Sequence, residues 1–148
     1  MNGIQTKQNI RQTVPFFMVS DMENSLKFYV KGLGFEIENK WTPRGKIEWC
    51  WLKREGGVIM LQEYGKEEPY TTKTGNKSGE GVSIWFQCED ALELYNEFLL
   101  KGLNPSEPFV GNHMWDVKIT DPDGYVLHFE SPTDIREETT YSQWKNQL

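Results

Sequence analysis

The chain has little with which to do covalent or metal chemistry. Of its 148 residues only two are cysteine, Cys50 and Cys88, and only two are histidine, His113 and His128. Neither cysteine has a partner at zinc-motif or Cys-x-x-Cys spacing, so reduced, buried thiols are expected. There is no Gly-x-Ser-x-Gly turn and no glycine-rich phosphate cradle, which removes the common nucleophile and nucleotide signatures. Positive charge is also short: 16 Lys and Arg against 22 Asp and Glu leave a net charge of −6. Nucleic acid is a poor partner for such a surface, because phosphate binding needs clustered Lys and Arg, whereas a cationic ligand suits it. No apolar run approaches the ~20 residues that span a bilayer, so no membrane partner is expected. The opening stretch MNGIQTKQNIRQTV holds no apolar core of signal-peptide length. A cytoplasmic protein is the default expectation.

What the chain does have is aromatic rings. Six Trp, six Tyr and eight Phe make up 14% of it, within a 37% apolar total. That is more than one small core needs, and surplus aromatics line pockets. The length suits one compact domain or two closely joined half-size modules.

The chain repeats itself. FMVSDMENSLKFYVKGLG, from Phe17, is similar to FQCEDALELYNEFLLKGLN, from Phe86. Phe17 and Asp21 lie 69 residues before Phe86 and Asp90, and Lys31-Gly32-Leu33 lies 70 before Lys101-Gly102-Leu103, so one inserted residue reconciles the copies. A period near half the chain means two copies of one supersecondary unit. Each opens with an extended apolar run, Val14–Val19 or Val82–Cys88. A helix follows, capped by Ser20 or Asp21 in the first copy and by Asp90 in the second, with Gly32 and Gly102 where the helices should stop. Three strands come next: Phe35–Trp41, Lys46–Lys53 and Val58–Glu63, then Ser106–Val110, Met114–Thr120 and Tyr125–Glu130. Arg54-Glu55-Gly56-Gly57 and Asp121-Pro122-Asp123-Gly124 turn the last pair of each copy. Each module reads βαβββ. The expected divisions are a tail over 1–13, a first module over 14–65, a polar linker or flap over 66–81, a second module over 82–132 and a tail over 133–148. A short helix carrying Trp144 is expected in that last tail.

VSDMENSLKFYVKGLGF, from Val19, and DPDGY, from Asp121, resemble the vicinal oxygen chelate superfamily, which includes glyoxalases, extradiol dioxygenases and bleomycin-resistance proteins. The likeness spans residues 14–132. It implies an α+β fold in which two tandem βαβββ modules form a curved, half-barrel mixed sheet with helices outside, a ligand cavity between modules, and pairing as a homodimer. Metal-using members place ligands on the first, fourth, fifth and eighth strands. The matching positions here are Val14, Met60, Ser83 and His128. Two of these cannot hold a divalent cation and Ser is a poor ligand, so the resemblance implies a member without a metal cofactor.

Strand alternation then nominates the residues of a pocket. Phe16 and Met18 share one face of the first strand, Met60 and Gln62 of the fourth, Ser83, Trp85 and Gln87 of the fifth, and Val126, His128 and Glu130 of the eighth. Trp49, Trp51 and Trp115 join the candidates, although sequence does not say which way their strands face. This mixture of rings, amides and a hydroxyl suits an organic molecule held by apolar contact and oriented by polar groups. His128 has three readings: a contact for that molecule or a proton carrier, a metal ligand with Glu130 and His113 or Asp116, or a side chain satisfied by its neighbours. The expected function is therefore metal-independent binding or sequestration of a small organic molecule, with a cationic aromatic drug such as a bleomycin as one candidate. The alternative is a lyase, isomerase or dioxygenase-type enzyme using His128 and Glu130 with a displaced or absent metal site.

Overall fold

The computed structural model describes residues 7–64 and 78–148. These form two four-stranded mixed sheets. The first contains β1 (Phe16–Val19), β2 (Glu36–Trp41), β3 (Trp49–Arg54) and β4 (Gly57–Glu63), in the order β1-β4-β3-β2. The second contains β5 (Ser83–Gln87), β6 (Phe109–Gly111), β7 (Met114–Thr120) and β8 (Val126–Pro132), in the order β5-β8-β7-β6. In each, the first and last strands pair in parallel and the other pairings are antiparallel. This is the expected βαβββ module, twice.

Alternation decides which side of each sheet is covered. Phe17, Val19, Cys50, Leu52, Ile59 and Leu61 face one way from the first sheet and are buried, as are Val117, Ile119, Leu127 and Phe129 in the second. Full burial of each large apolar side chain contributes about 1.5–3 kcal/mol, so a one-residue slip in any strand would be very costly. Helices α1 (Met22–Leu26) and α2 (Ala91–Leu100) supply Met22, Ala91 and Phe98 to the same core. Asp21 caps α1 by accepting from the Asn24 N–H at 3.1 Å, and Asp90 caps α2 by accepting from the Glu93 N–H at 3.0 Å; such caps contribute about 1 kcal/mol each.

The two helices end differently. α1 widens into a π-helical stretch, Lys27–Gly32, before Gly34 turns the chain with φ 82°. α2 ends at Gly102 with φ 80°. Matching bonds close both ends: Phe35 N–H to the Tyr29 carbonyl, and Leu103 N–H to the Phe98 carbonyl. Gly34 is therefore the counterpart of Gly102, and the alignment through Lys-Gly-Leu is corrected. The first helix is the longer by one residue, which the π turn absorbs. Gly32 serves another purpose: a Cβ there would lie 2.9 Å from the Leu103 methyl carbons.

Strand boundaries shift for local reasons. The expected Ser106–Val110 strand shortens to Phe109–Gly111, since Pro105 and Pro108 have no N–H to give to a ladder. Most of the expected linker, 66–81, lies outside the described residues, and residues 78–81 form a turn. The carboxy-terminal tail is part of the structure. Its helix α3 (Tyr141–Asn146) starts in a capping box of Thr140 and Gln143, and Trp144 packs on Trp115 with ring centroids 5.7 Å apart.

One core joins the modules. Phe17 stacks on Tyr125 at 4.1 Å, and Phe35 meets Phe86 edge-on at 6.0 Å. The turn of each module's last hairpin is also tied to the other module. Asp121 Oδ1 accepts from the N–H groups of Asp123 and Tyr125, closing its own turn, while Oδ2 accepts from the buried Tyr29 hydroxyl at 2.8 Å. Arg54 donates to both carboxylate oxygens of Glu97, at 2.6 and 3.0 Å, and to the Leu33 carbonyl. Among the described residues no helix is long and apolar enough to cross a membrane.

Candidate functional site

The side of each sheet away from the helices carries the nominated strand residues other than Trp115, in two short rows on the first sheet and three on the second. Register places Phe16 beside Met60, Met60 beside Trp51 and Trp51 beside Asn39. The next row runs Met18, Gln62, Trp49, Trp41. Cys50 and Leu52 are fully buried toward the helices, which sends Trp49 and Trp51 to the open side and settles the direction of β3. Half of Phe16 and half of Trp41 are exposed, at 50% and 51%. Trp41 was not nominated. The β-bulge between Ile37 and Asn39 breaks the alternation of β2, so only pairing with Trp49 reveals its face.

On the second sheet the rows are Ser83, Val126, Thr120; Trp85, His128, Lys118; and Gln87, Glu130, Asp116, Phe109. Trp85 lies flat on His128, with centroids 3.8 Å apart and planes within 1°. The Trp85 indole N–H donates to Ser83 Oγ at 2.8 Å. His128 Nδ1 sits 2.8 Å from Asp116 Oδ1 and 3.1 Å from Oδ2. A carboxylate only accepts, so Nδ1 carries a proton, and in the neutral form of the ring Nε2 is the lone-pair nitrogen. Beside it the Gln87 amide donates to Glu130 Oε1 at 2.7 Å. His128 is mostly enclosed, its side chain 13% exposed, between the indole and the Asp116 carboxylate.

Trp115 corrects the candidate roll. It lies on the covered side of β7, 4% exposed, against Tyr141 and Trp144. It alternates with Asp116 along β7, and α3 covers its side of the strand. His113 is at the exposed tip of the β6–β7 turn, where Asn112 and His113 both have positive φ, 52° and 62°. It faces Glu137 and is remote in role from His128.

The donor set is a poor one for a divalent cation. Met60 and Ser83 offer no strong ligand atom, Val14 offers none, and the Nδ1 of His128 is taken by Asp116. Among the described residues no three His, Cys, Asp or Glu side chains converge as ligands. The chemistry available is of two kinds: ring stacking with amide hydrogen bonds, and proton transfer at Nε2.

Two tandem βαβββ modules with uncovered, ring-bearing sheet faces define the glyoxalase type of α+β fold. The family model for the Glyoxalase/Bleomycin resistance protein/Dioxygenase superfamily matches residues 10–129, and the chain belongs to that superfamily. Solved structures agree on the fold. TnmS3, an antibiotic binding protein from Streptomyces sp. CB03234, is 18% identical with a TM-score of 0.66, over 86% of this chain and 100% of that one. TioX from Micromonospora sp. ML1 is 19% identical with a TM-score of 0.62, over 82% and 98%. An integron cassette protein from the mobile metagenome of the Halifax Harbour sewage outfall is 24% identical with a TM-score of 0.59, over 80% and 95%. No curated protein matches the sequence.

Proposed function

We propose that this protein binds a flat small organic molecule, in the manner of a sequestering protein, without a bound metal. The single observation that carries the reading is the composition of the open faces. Met60 stands where metal-using members place a ligand atom, and Phe16, Met18, Trp49 and Trp51 adjoin it in neighbouring rows, with Gln62 to orient a guest. Each indole contributes about 0.5–2 kcal/mol to a stacked cationic guest. A fold shared with an antibiotic binding protein supports the same reading. Exposed Phe16, Trp41, Trp85 and Phe109 also support pairing of two copies across these faces, since a monomer rarely leaves such rings uncovered. The free thiols of Cys50 and Cys88 suit a reducing, cytoplasmic setting.

The test is titration calorimetry in excess chelator against bleomycins, other cationic aromatic drugs and aromatic metabolites. Binding should survive the chelator and weaken about tenfold in Trp51→Ala. Absence of binding across the panel, or binding that needs added zinc or nickel, overturns the reading.

The His128–Asp116 pair favours one second reading, an acid–base lyase or isomerase in which Nε2 takes a proton from the guest. General base catalysis contributes about 10²–10⁴ in rate. Turnover of any panel compound that falls by that factor in both His128→Gln and Asp116→Asn would establish it; intact turnover in His128→Gln would end it.

A further inference from the structure

The second site comes from a break in the internal symmetry. Phe16 pairs with Met60 as Trp85 pairs with His128, so those positions correspond between modules. Three residues before Met60 stands Gly57, and three before His128 stands Tyr125. Tyr125 fills its junction: its ring stacks on Phe17 and its hydroxyl donates to the Met18 carbonyl at 2.9 Å. At the other junction Phe86 occupies the place of Phe17, and Gly57 brings no ring to cover it. A cavity of about 580 Å³ opens there, between the β3–β4 turn and the start of α2. That volume lies within the range of roughly 300–1,000 Å³ typical of small-ligand pockets.

We infer that this cavity is a binding site for an aromatic ammonium ion. It goes beyond the open-face reading, sharing only Trp85 and Gln87 with that surface. Its floor is aromatic. Phe86 and Phe129 lie stacked at 4.7 Å, with Phe35 edge-on to Phe86. A ring entering the cavity from solvent would add to this aromatic floor, as Tyr125 adds to Phe17 in the sister junction. Phe86 packs closely on Gly57: its nearest ring atom would lie 3.1 Å from a Cβ there.

The rim is negative. Glu55, Glu89, Asp90 and Glu93 line it. Arg54 is the one cation among the described lining residues, and its guanidinium is held by Glu97, so that pair cancels. The positive end of α2 also points here, but a helix terminus amounts to about half a unit charge. Asp90 and Glu93 in the cap and first turn more than neutralise it. The excess negative charge over an aromatic floor selects a cation with an aromatic body, by Coulomb attraction together with apolar and ring contacts.

The probe is benzyltrimethylammonium, followed by amide chemical shifts of isotope-labelled protein, with benzyl alcohol as the neutral comparison. Saturable shifts are expected at Gly56, Gly57, Phe86 and Leu94, with much weaker response to benzyl alcohol. The surface variant Glu55→Gln/Glu89→Gln/Glu93→Gln, checked for intact fold by circular dichroism, should bind about tenfold more weakly. The inference is overturned by absence of saturable shifts at those four amides, by shifts confined to the strands of Trp49, Trp51 and His128, or by unchanged affinity in the triple variant.

Discussion

Replacing Tyr29 with phenylalanine tests how the two modules are held together. The Tyr29 ring is fully buried, and its hydroxyl is 2.8 Å from Oδ2 of Asp121, itself 5% exposed. The ring should fit unchanged, because Phe98 fills the equivalent place in the second helix. Only the hydroxyl is lost, and with it the donor to one oxygen of a buried carboxylate. Hydrogen bonds to charged groups contribute about 1.5–3 kcal/mol, which for a domain of this size lowers Tm by roughly 4–9 °C. The loss depends on pH in a defined sense. Burial pushes the Asp121 carboxyl above its ordinary 3.8, and the Tyr29 bond pulls it partly back. Removing the bond raises that pKa further. The deficit of the variant is therefore full at neutral pH, where Asp121 is ionised, and shrinks as pH falls through the raised folded value. Urea denaturation at pH 7 and at pH 4.5 measures both. A variant within 0.5 kcal/mol of wild type at pH 7, or a deficit that grows on acidification, would refute the role given to Asp121.

Glu97→Gln should flatten part of the acid limb of stability. Arg54 holds the Glu97 carboxyl below its ordinary 4.5, so the stabilisation is present above that value and lost as pH falls through the lowered one; denaturation at pH 7 and pH 3 checks it, with a modest effect since the pair is partly solvated. Gly32→Ala puts a methyl 2.9 Å from Leu103 and should cost about 1–3 kcal/mol in a thermal melt. Burial pushes the Cys50 thiol up to about 11, so iodoacetamide at pH 8 should leave Cys50 unlabelled in the native protein and label it in urea, as read by peptide mass.

Much of the fold was legible because it repeats and alternates. Two copies of an apolar run, a capped helix and three strands identify the module, and the faces of Phe17, Leu61, Leu127 and Phe129 follow from period two alone. The open rows of β1, β4, β5 and β8 were legible for the same reason. Errors fell where alternation is interrupted or silent. The bulge in β2 hid Trp41, and the prolines before β6 shortened that strand. The π turn absorbed a residue in the first helix, so Lys-Gly-Leu misaligned the repeats. The face of Trp115 stayed open because nothing local says which side of β7 the tail helix will cover.

The linear order of residues was enough to set the module, its duplication, the superfamily and the surplus of rings, because each is written in spacings of two, of helical turns, or of half the chain. Which groups meet across those spacings is a tertiary matter. Asp116 and His128 become partners only when β7 and β8 pair in one register, and Trp85 covers that imidazole only because β5 runs parallel beside β8. Tyr125 seals one junction while Gly57 leaves the other open, a difference that acquires meaning only once the halves pack about a shared core. Sequence distance carries no information about such contacts; the free energy of burying both modules' apolar faces together selects them.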